Sequence, residues 1–235
     1  MRKRILRKRN IILGNNYGTT LVEMIVCFAL LGIFLVAAAT FIITLTGFFF
    51  HVTGETYSRQ VSDIILEKVA SEIDGAEYEA GVSNPMFKTE TVAGETVECL
   101  DLYDKTDTHV SISFDKAKEA IKIHYYPIEY SEDIYEDERR EATDWYFDES
   151  VYNGFKIKDM RIVRANKLSE VVESEDFRLS DFGLSKAEDS LYPNNVVVVL
   201  VHLRHPKYKD YYTYRYVRMY HVPEDYDWGE ESASG

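Results

Sequence analysis

Apolar residues form one long block near the start of the chain. Residues 19–50 contain a single charged side chain, that of Glu23. A helix needs about 20 apolar residues to cross the hydrocarbon core of a bilayer, and the apolar run 21–50 is longer than that. The pattern predicts a transmembrane half-helix over residues 19–50.

The helical pattern continues beyond the apolar block, where it becomes amphipathic. Apolar side chains recur at helical spacing at Tyr57, Val61, Ile64, Ile65 and Ile73. Polar side chains occupy the opposite face at Arg59, Asp63, Glu67 and Ser71. We therefore expect residues 51–75 to prolong the helix to about Ile73, with Gly75 as its stop signal.

The rest of the sequence changes to the period of β-strands. Segments 96–103, 110–114 and 121–126 are rich in β-branched and aromatic residues and predict an antiparallel meander. An acidic loop with tyrosines is expected over 129–141. Further strands are predicted at 155–163, 196–203 and 211–222, the last two joined by a hairpin loop over 206–210. Segment 196–203 is apolar on both faces, which is typical of a central strand.

These elements together predict the fold class α+β. A long N-terminal helix, half transmembrane and half amphipathic, packs on one antiparallel sheet in this prediction. The sheet domain is expected over residues 76–235.

Charge is distributed very unevenly along the chain. Residues 1–18 hold six basic side chains and no acidic one. Because basic residues accumulate on the cytoplasmic side of membrane helices, we expect the N-terminus inside and residues 76–235 outside the cytoplasmic membrane. Without this segment the formal net charge falls from −13 to −19, since six of the 27 Lys and Arg and none of the 40 Asp and Glu lie in it. Such an acidic domain disfavours nucleic acid as a partner.

Glu23 needs an explanation within this apolar block. A carboxylate in a spanning segment costs on the order of 2.5–3.5 kcal/mol, and less near an end, so it requires a partner. A secretory signal would place cleavage at residues 37–39, in the middle of the longer apolar helix. A plain signal anchor explains the topology but leaves Glu23 without a role.

The residues before Glu23 carry a specific pattern. Gly18 ends the basic segment, and Glu23 follows five residues later in the string Asn-Asn-Tyr-Gly-Thr-Thr-Leu-Val-Glu-Met. This string resembles the amino-terminal motif of type IV prepilins and pseudopilins. The resemblance implies that residues 1–18 are a leader cut off between Gly18 and Thr19, and that Thr19 is then N-methylated. It also implies that Glu23 pairs with the new amino group of a neighbouring subunit and so fixes the register of assembly.

The resemblance further implies a function and a set of partners. The chain is expected to be a minor pilin or pseudopilin, a structural filament subunit and not an enzyme, in a type IV pilus, a competence pseudopilus or a type II secretion-like system. Its implied partners are other pilin-like subunits, a prepilin peptidase, a membrane assembly platform with its ATPase, and membrane lipid. The alternative is a single-pass membrane-anchored extracytoplasmic binding module that does not form filaments.

No catalytic residue, cofactor or metal site is predicted. Asp181-Phe182-Gly183 looks like the metal-binding segment of protein kinases, but the other kinase motifs are absent from the sequence, so a turn before a strand is the better interpretation. Cys27 and Cys99 lie in different environments and are expected to be unbridged.

Two further groups of polar residues are interpreted structurally. His202 and His205 are expected to be a surface pair at a strand end and not metal ligands. Asp101, Asp104 and Asp107 lack the glycine and terminal glutamate of an EF-hand, so we interpret them as solvated turn carboxylates.

Overall fold

The computed structural model describes residues 20–78, 85–92, 95–106, 108–127, 141–174, 177–186 and 191–228. Gly18 and Thr19 lie outside the described residues, as do Asp107 and almost all of the acidic segment 129–141. The chain divides into two compact units, Met1–Phe49 and Phe50–Gly235. Each unit is described separately below.

The first unit contains the apolar part of helix α1, which spans Leu21–Asp74. The predicted helix over residues 19–73 is thus confirmed from Leu21 onward. Its large apolar side chains in this unit are exposed, for example Ile43 at 72%. The helix is long and apolar enough to cross a membrane.

Threonine hydroxyls in this apolar part are satisfied within the helix itself. Thr40, Thr44 and Thr46 each donate to the carbonyl four residues earlier, over 2.9, 3.0 and 2.8 Å. In lipid an unpaired hydroxyl costs free energy because water is absent. These bonds make the threonines compatible with a hydrocarbon environment.

The second unit begins with the amphipathic part of α1. Its buried residues recur at helical spacing and include Val61, Ile65, Val69 and Ile73. The helix ends at Asp74, directly before Gly75, as the sequence predicts. One face of this part of the helix is therefore buried in the protein core.

Eight strands and a short α-helix follow α1 in the described part of the chain. The strands are β1 Met86–Val92, β2 Glu95–Tyr103, β3 His109–Asp115, β4 Ala120–Tyr125, β5 Thr143–Tyr146, β6 Lys156–Arg164, β7 Val196–Arg204 and β8 Tyr211–Arg218. The helix is α2, Glu149–Tyr152, and 3₁₀ helices span Ala165–Glu170 and Leu179–Phe182.

The strands form two antiparallel sheets instead of the single predicted sheet. The order is β1-β2-β3-β4-β5 in one and β6-β7-β8 in the other. After β5 the chain passes through α2 and two residues with positive φ, Asn153 (46°) and Gly154 (82°). This turn carries the chain away from the first sheet, so β6 pairs with β7 and not with β5. The prediction of one sheet was wrong, although the α+β class is correct.

Most predicted strands are present, and two strands were missed. The meander β2-β3-β4 and the pair β7-β8 lie where the sequence places them. β1 was missed because Lys88, Thr89 and Glu90 interrupt its apolar character, and β5 because it has only four residues. Both missed strands are edges of the five-stranded sheet.

Strand β7 is central and is covered on both faces. Val197, Val199 and Val201 belong to one hydrophobic cluster with α1 and the inner face of the five-stranded sheet. Val198 and Leu200 belong to a second cluster, formed with the segment that contains the two 3₁₀ helices. This explains why the whole strand except Arg204 is buried.

Gly54 allows a side chain to lie directly against α1. A Cβ atom at this position would meet Tyr208 Cδ1 at 2.6 Å, Cγ at 2.7 Å and Cβ at 3.0 Å. Because these atoms lie near the base of the tyrosine side chain, rotation of the ring does not relieve the clash. Gly54 therefore fixes the contact between α1 and the β7–β8 loop.

Replacing Gly54 by Ala is expected to lower the free energy of unfolding of the second unit by about 1–3 kcal/mol, the usual cost of overpacking. Unfolding of the full-length chain in detergent, followed by the fluorescence of Trp145 and Trp228, measures this. Gly47→Ala is the control, since nothing lies within 4 Å of a Cβ at that position. Equal stability of the two variants would contradict the proposed role of Gly54.

Candidate functional site

Glu23 lies in the first turn of α1 and is bound to Thr20. The Thr20 N–H donates to Glu23 Oε2 over 2.7 Å, and the Glu23 N–H donates to Thr20 Oγ1 over 3.3 Å. This reciprocal pair is a capping box, which satisfies two backbone donors that have no partner within the helix. The carboxylate also lies at the positive end of the helix dipole. Glu23 therefore has a partner in its own chain.

The sequence analysis did not identify Thr20. The signal was present as Thr-x-x-Glu in front of an apolar run, which is the sequence signature of a capping box. The contact occupies Oε2, and a carboxylate can accept several hydrogen bonds. An ammonium group could therefore bind Glu23 while the cap remains formed.

A second polar cluster lies in the five-stranded sheet. Asp101 in β2 has no exposed surface, and its Oδ2 accepts from Lys88 Nζ at 2.6 Å and contacts His109 Nε2 at 3.1 Å. The interpretation of Asp101 as a solvated turn carboxylate was wrong, because Asp101 lies buried inside the strand beside Lys88 and His109. Burial alone would raise the pKa of Asp101, but the bonds with Lys88 and its other neighbours outweigh burial and lower it.

Aromatic rings hold His109 in place. The ring of His109 stacks between Tyr103, at a centroid distance of 4.7 Å, and Tyr126, at 3.9 Å. Both stacks are nearly parallel, at 4° and 8°. The ring is therefore fixed with Nε2 directed at Asp101.

A row of Ser111, His124 and Asp144 crosses three neighbouring strands. Ser111 pairs with His124 and His124 with Asp144 in the strand register, and His124 Nδ1 contacts Asp144 Oδ1 at 2.5 Å. A nucleophilic triad needs a serine bonded to the histidine and open to substrate. Ser111 is buried, and no described hydrogen bond joins it to His124. The row therefore links strands and does not form a nucleophilic site.

The two histidines near the end of β7 have separate environments. His202 is buried, contacts Asp210 Oδ2 through Nε2 at 3.1 Å and stacks on Tyr212. His205 stacks on Tyr208. The expectation of a surface pair was therefore wrong for His202, which is part of the packed structure.

The other residues that the sequence analysis considered as functional candidates have structural roles. Asp104 accepts from the backbone N–H groups of Thr106 and Thr108 at 2.8 and 3.0 Å and so closes the β2–β3 turn. Phe182 is buried in the second cluster, and Gly183, with φ of 75°, ends the 3₁₀ helix there. The segment is therefore a 3₁₀ helix that ends in a turn at Gly183, and the next described strand, β7, begins at Val196.

Metal ligands and disulfides give no further site in the described part of the chain. No group of three His, Cys, Asp or Glu side chains there has a geometry that could hold a metal ion. Cys27 is exposed and Cys99 is buried, and neither forms a disulfide.

Comparison with known proteins adds no family to this description. No protein-family model, no curated protein and no solved structure matches the chain. The candidate site is therefore defined by the contacts of Glu23 alone.

Replacing Asp101 by Asn is expected to reduce the free energy of unfolding at pH 7 by about 1–3 kcal/mol, because Lys88 and His109 lose a charged acceptor. The lowered pKa means that the native state binds fewer protons than the unfolded state. The contribution of Asp101 to stability is therefore fully present above its pKa in the unfolded state, about 3.9. It is lost as pH falls through the lower pKa that Asp101 has in the native state.

Urea unfolding at several pH values measures both effects. The variant should show a weaker loss of stability below about pH 4 than the wild type. Asp104→Asn is the matched control, because an Asn side chain keeps the Oδ1 acceptor that closes the turn. An equally steep acid loss in the Asp101 variant would assign the pH dependence to other groups.

Proposed function

We propose that this chain is a minor pilin or pseudopilin, processed between Gly18 and Thr19 and assembled as a structural subunit of an extracytoplasmic filament. The observation that carries the proposal is Glu23, the single charged residue in the apolar part of α1, held in the first turn of the helix. The motif that leads up to it resembles that of type IV prepilins. The filament is a type IV pilus, a competence pseudopilus or a type II secretion-like assembly.

The capping box supports this proposal physically. Cleavage before Thr19 removes neither Thr20 nor Glu23, so the cap survives processing. It also creates an ammonium group that can pair with the carboxylate of a neighbouring subunit. Two unit charges ~4 Å apart attract by about 4 kcal/mol at an effective dielectric constant near 20. Desolvation offsets much of this attraction, so the pair fixes register more than it adds stability.

The proposal also assigns location and partners. The basic leader keeps the N-terminus in the cytoplasm, α1 holds the subunit in the membrane, and the second unit lies outside. A prepilin peptidase, an assembly platform with its ATPase, membrane lipid and other pilin-like subunits are the proposed partners. The size of the predicted sheet domain, residues 76–235, favours a minor subunit.

A second candidate function is a single-pass membrane-anchored binding module. The observation that favours it is again the capping box, because a bond to Thr20 gives Glu23 a role without any neighbouring subunit. The two functions differ in whether the charge of Glu23 is needed or only its hydrogen-bond acceptor.

The amino-terminal mass tests processing. Protein isolated from its native membrane or from sheared surface fibres is expected to begin at Thr19, with or without a methyl group. Mass spectrometry of the N-terminal peptide measures this. An intact N-terminus in cells with an active prepilin peptidase, or cleavage near residues 37–39, would contradict the pilin proposal.

Variants of Glu23 separate charge from capping. Glu23→Gln keeps an acceptor that supports a capping box but removes the charge, whereas Glu23→Ala removes both. The filament proposal predicts that both variants fail to enter sheared surface fibres while they still reach the membrane. Thr44→Val is the control, since it removes a polar group from the same helix without touching the cap. Normal fibres from Glu23→Gln would contradict the assigned role of the charge, whereas absence of the unaltered chain from fibres would favour the anchor function.

A further inference from the structure

A groove runs along one edge of the three-stranded sheet. Two adjoining hollows of about 820 and 280 Å³ lie between β6 and the inner side of β1 and β2. Both hollows are lined by Phe87 and Thr89 from β1, by Glu98 from β2 and by Arg161 and Ile162 from β6. They therefore form one continuous groove that follows β6.

Strand β6 is an edge strand along this groove. In the described part of the chain it pairs only with β7. At its start the Ile157 N–H donates to the Glu119 carbonyl over 3.1 Å. No described backbone hydrogen bond joins residues 158–164 to any segment other than β7. An edge of this kind presents alternate N–H and C=O groups that a further strand can pair with.

The charge of β6 is opposite to that of the whole protein. The strand carries Lys156, Lys158, Arg161 and Arg164 against one acidic residue, Asp159, in a chain with a net charge of −13. Lysine on an edge strand is also a common device against unwanted pairing, so charge alone does not define a site. The arrangement of ion pairs around the groove is more informative.

Three of the four acidic residues that line the groove are already neutralised by neighbouring cations. Glu119 binds Lys156, Asp159 contacts Arg161 at 3.3 Å, and Glu170 contacts Lys167 at 2.9 Å. Lys158 and Arg164 line the groove and form no ion pair with a described carboxylate. Arg164 instead lies 5.9 Å from the ring centroids of Phe87 and Trp228. Glu98 is the fourth acidic residue of the lining, against six basic residues, so the groove keeps an excess of positive charge.

We propose that this groove binds an extended acidic segment of a partner protein by strand addition to β6. Backbone groups of the segment pair with the free edge of residues 158–164. Its carboxylates bind Lys158 and Arg164, and its apolar side chains contact Phe87 and Ile162 in the groove. The inference does not depend on the proposed filament function, because a membrane-anchored binding module would use the same groove.

The peptide acetyl-(Val-Glu)4-amide is a suitable probe, because it alternates a strand-forming apolar residue with a carboxylate. Fluorescence anisotropy of the labelled peptide with the full-length chain in detergent measures binding. Hydrogen exchange of the same complex is expected to show new protection of amides in residues 158–164. The matched peptide acetyl-(Val-Lys)4-amide is expected not to bind.

Charge reversal tests the assigned cations. Lys158→Glu is expected to weaken binding on the order of tenfold, which corresponds to about 1.4 kcal/mol. Lys209→Glu is the control, because it makes the same change in net charge in the β7–β8 loop, outside the groove. Circular dichroism checks that each variant is folded.

Three results would overturn the proposal. The first is no binding of the acidic peptide at about 1 mM, the limit of weak association. The second is protection confined to another edge strand, such as β5 or β8. The third is an equal loss of affinity in Lys158→Glu and Lys209→Glu, which would reduce the effect to general electrostatic attraction.

Discussion

One face of the amphipathic part of α1 supplies the centre of the core of the second unit. Val61, Ile65, Val69 and Ile73 are each at most 3% exposed and share one cluster with residues of both sheets. Burying an apolar side chain of this size contributes about 1.5–3 kcal/mol. This helix face packs against residues of both sheets, which also contact each other directly where β6 meets β2, β3 and β4. The close contact between Gly54 and Tyr208 holds the same part of α1 against the β7–β8 loop.

The features that follow from local pattern could be predicted from the sequence. The long helix follows from an apolar run that continues into an amphipathic one, and β7 follows from its uninterrupted valines. Pairing between strands is not local, so the division into two sheets could not be predicted. It depends on the turn at Asn153 and Gly154 and on the cover that both faces of β7 require.

The polar contacts also differ in whether the sequence could predict them. Contacts between residues close in sequence could be predicted, and contacts between strands could not. Thr20 lies three residues from Glu23, and the sequence contained the signal for their contact. Asp101 was misinterpreted because its partners come from other strands: Lys88 lies 13 residues before it and His109 eight residues after it. His202 was misinterpreted for a similar reason, since Asp210 contacts it from the hairpin loop and Tyr212 from the strand beyond that loop.

The two-sided burial of β7 has a consequence for how the chain reaches its native state. Its run of valine and leucine has high β-propensity and no charge up to His202, which is the composition of segments that stack into cross-β aggregates when exposed. In the native fold β6 and β8 occupy both of its edges. β8 follows β7 along the chain, so β7 lacks one neighbour until residues 211–218 have been made. Termination of synthesis before Tyr211 would therefore leave one edge of β7 unpaired and exposed to aggregation.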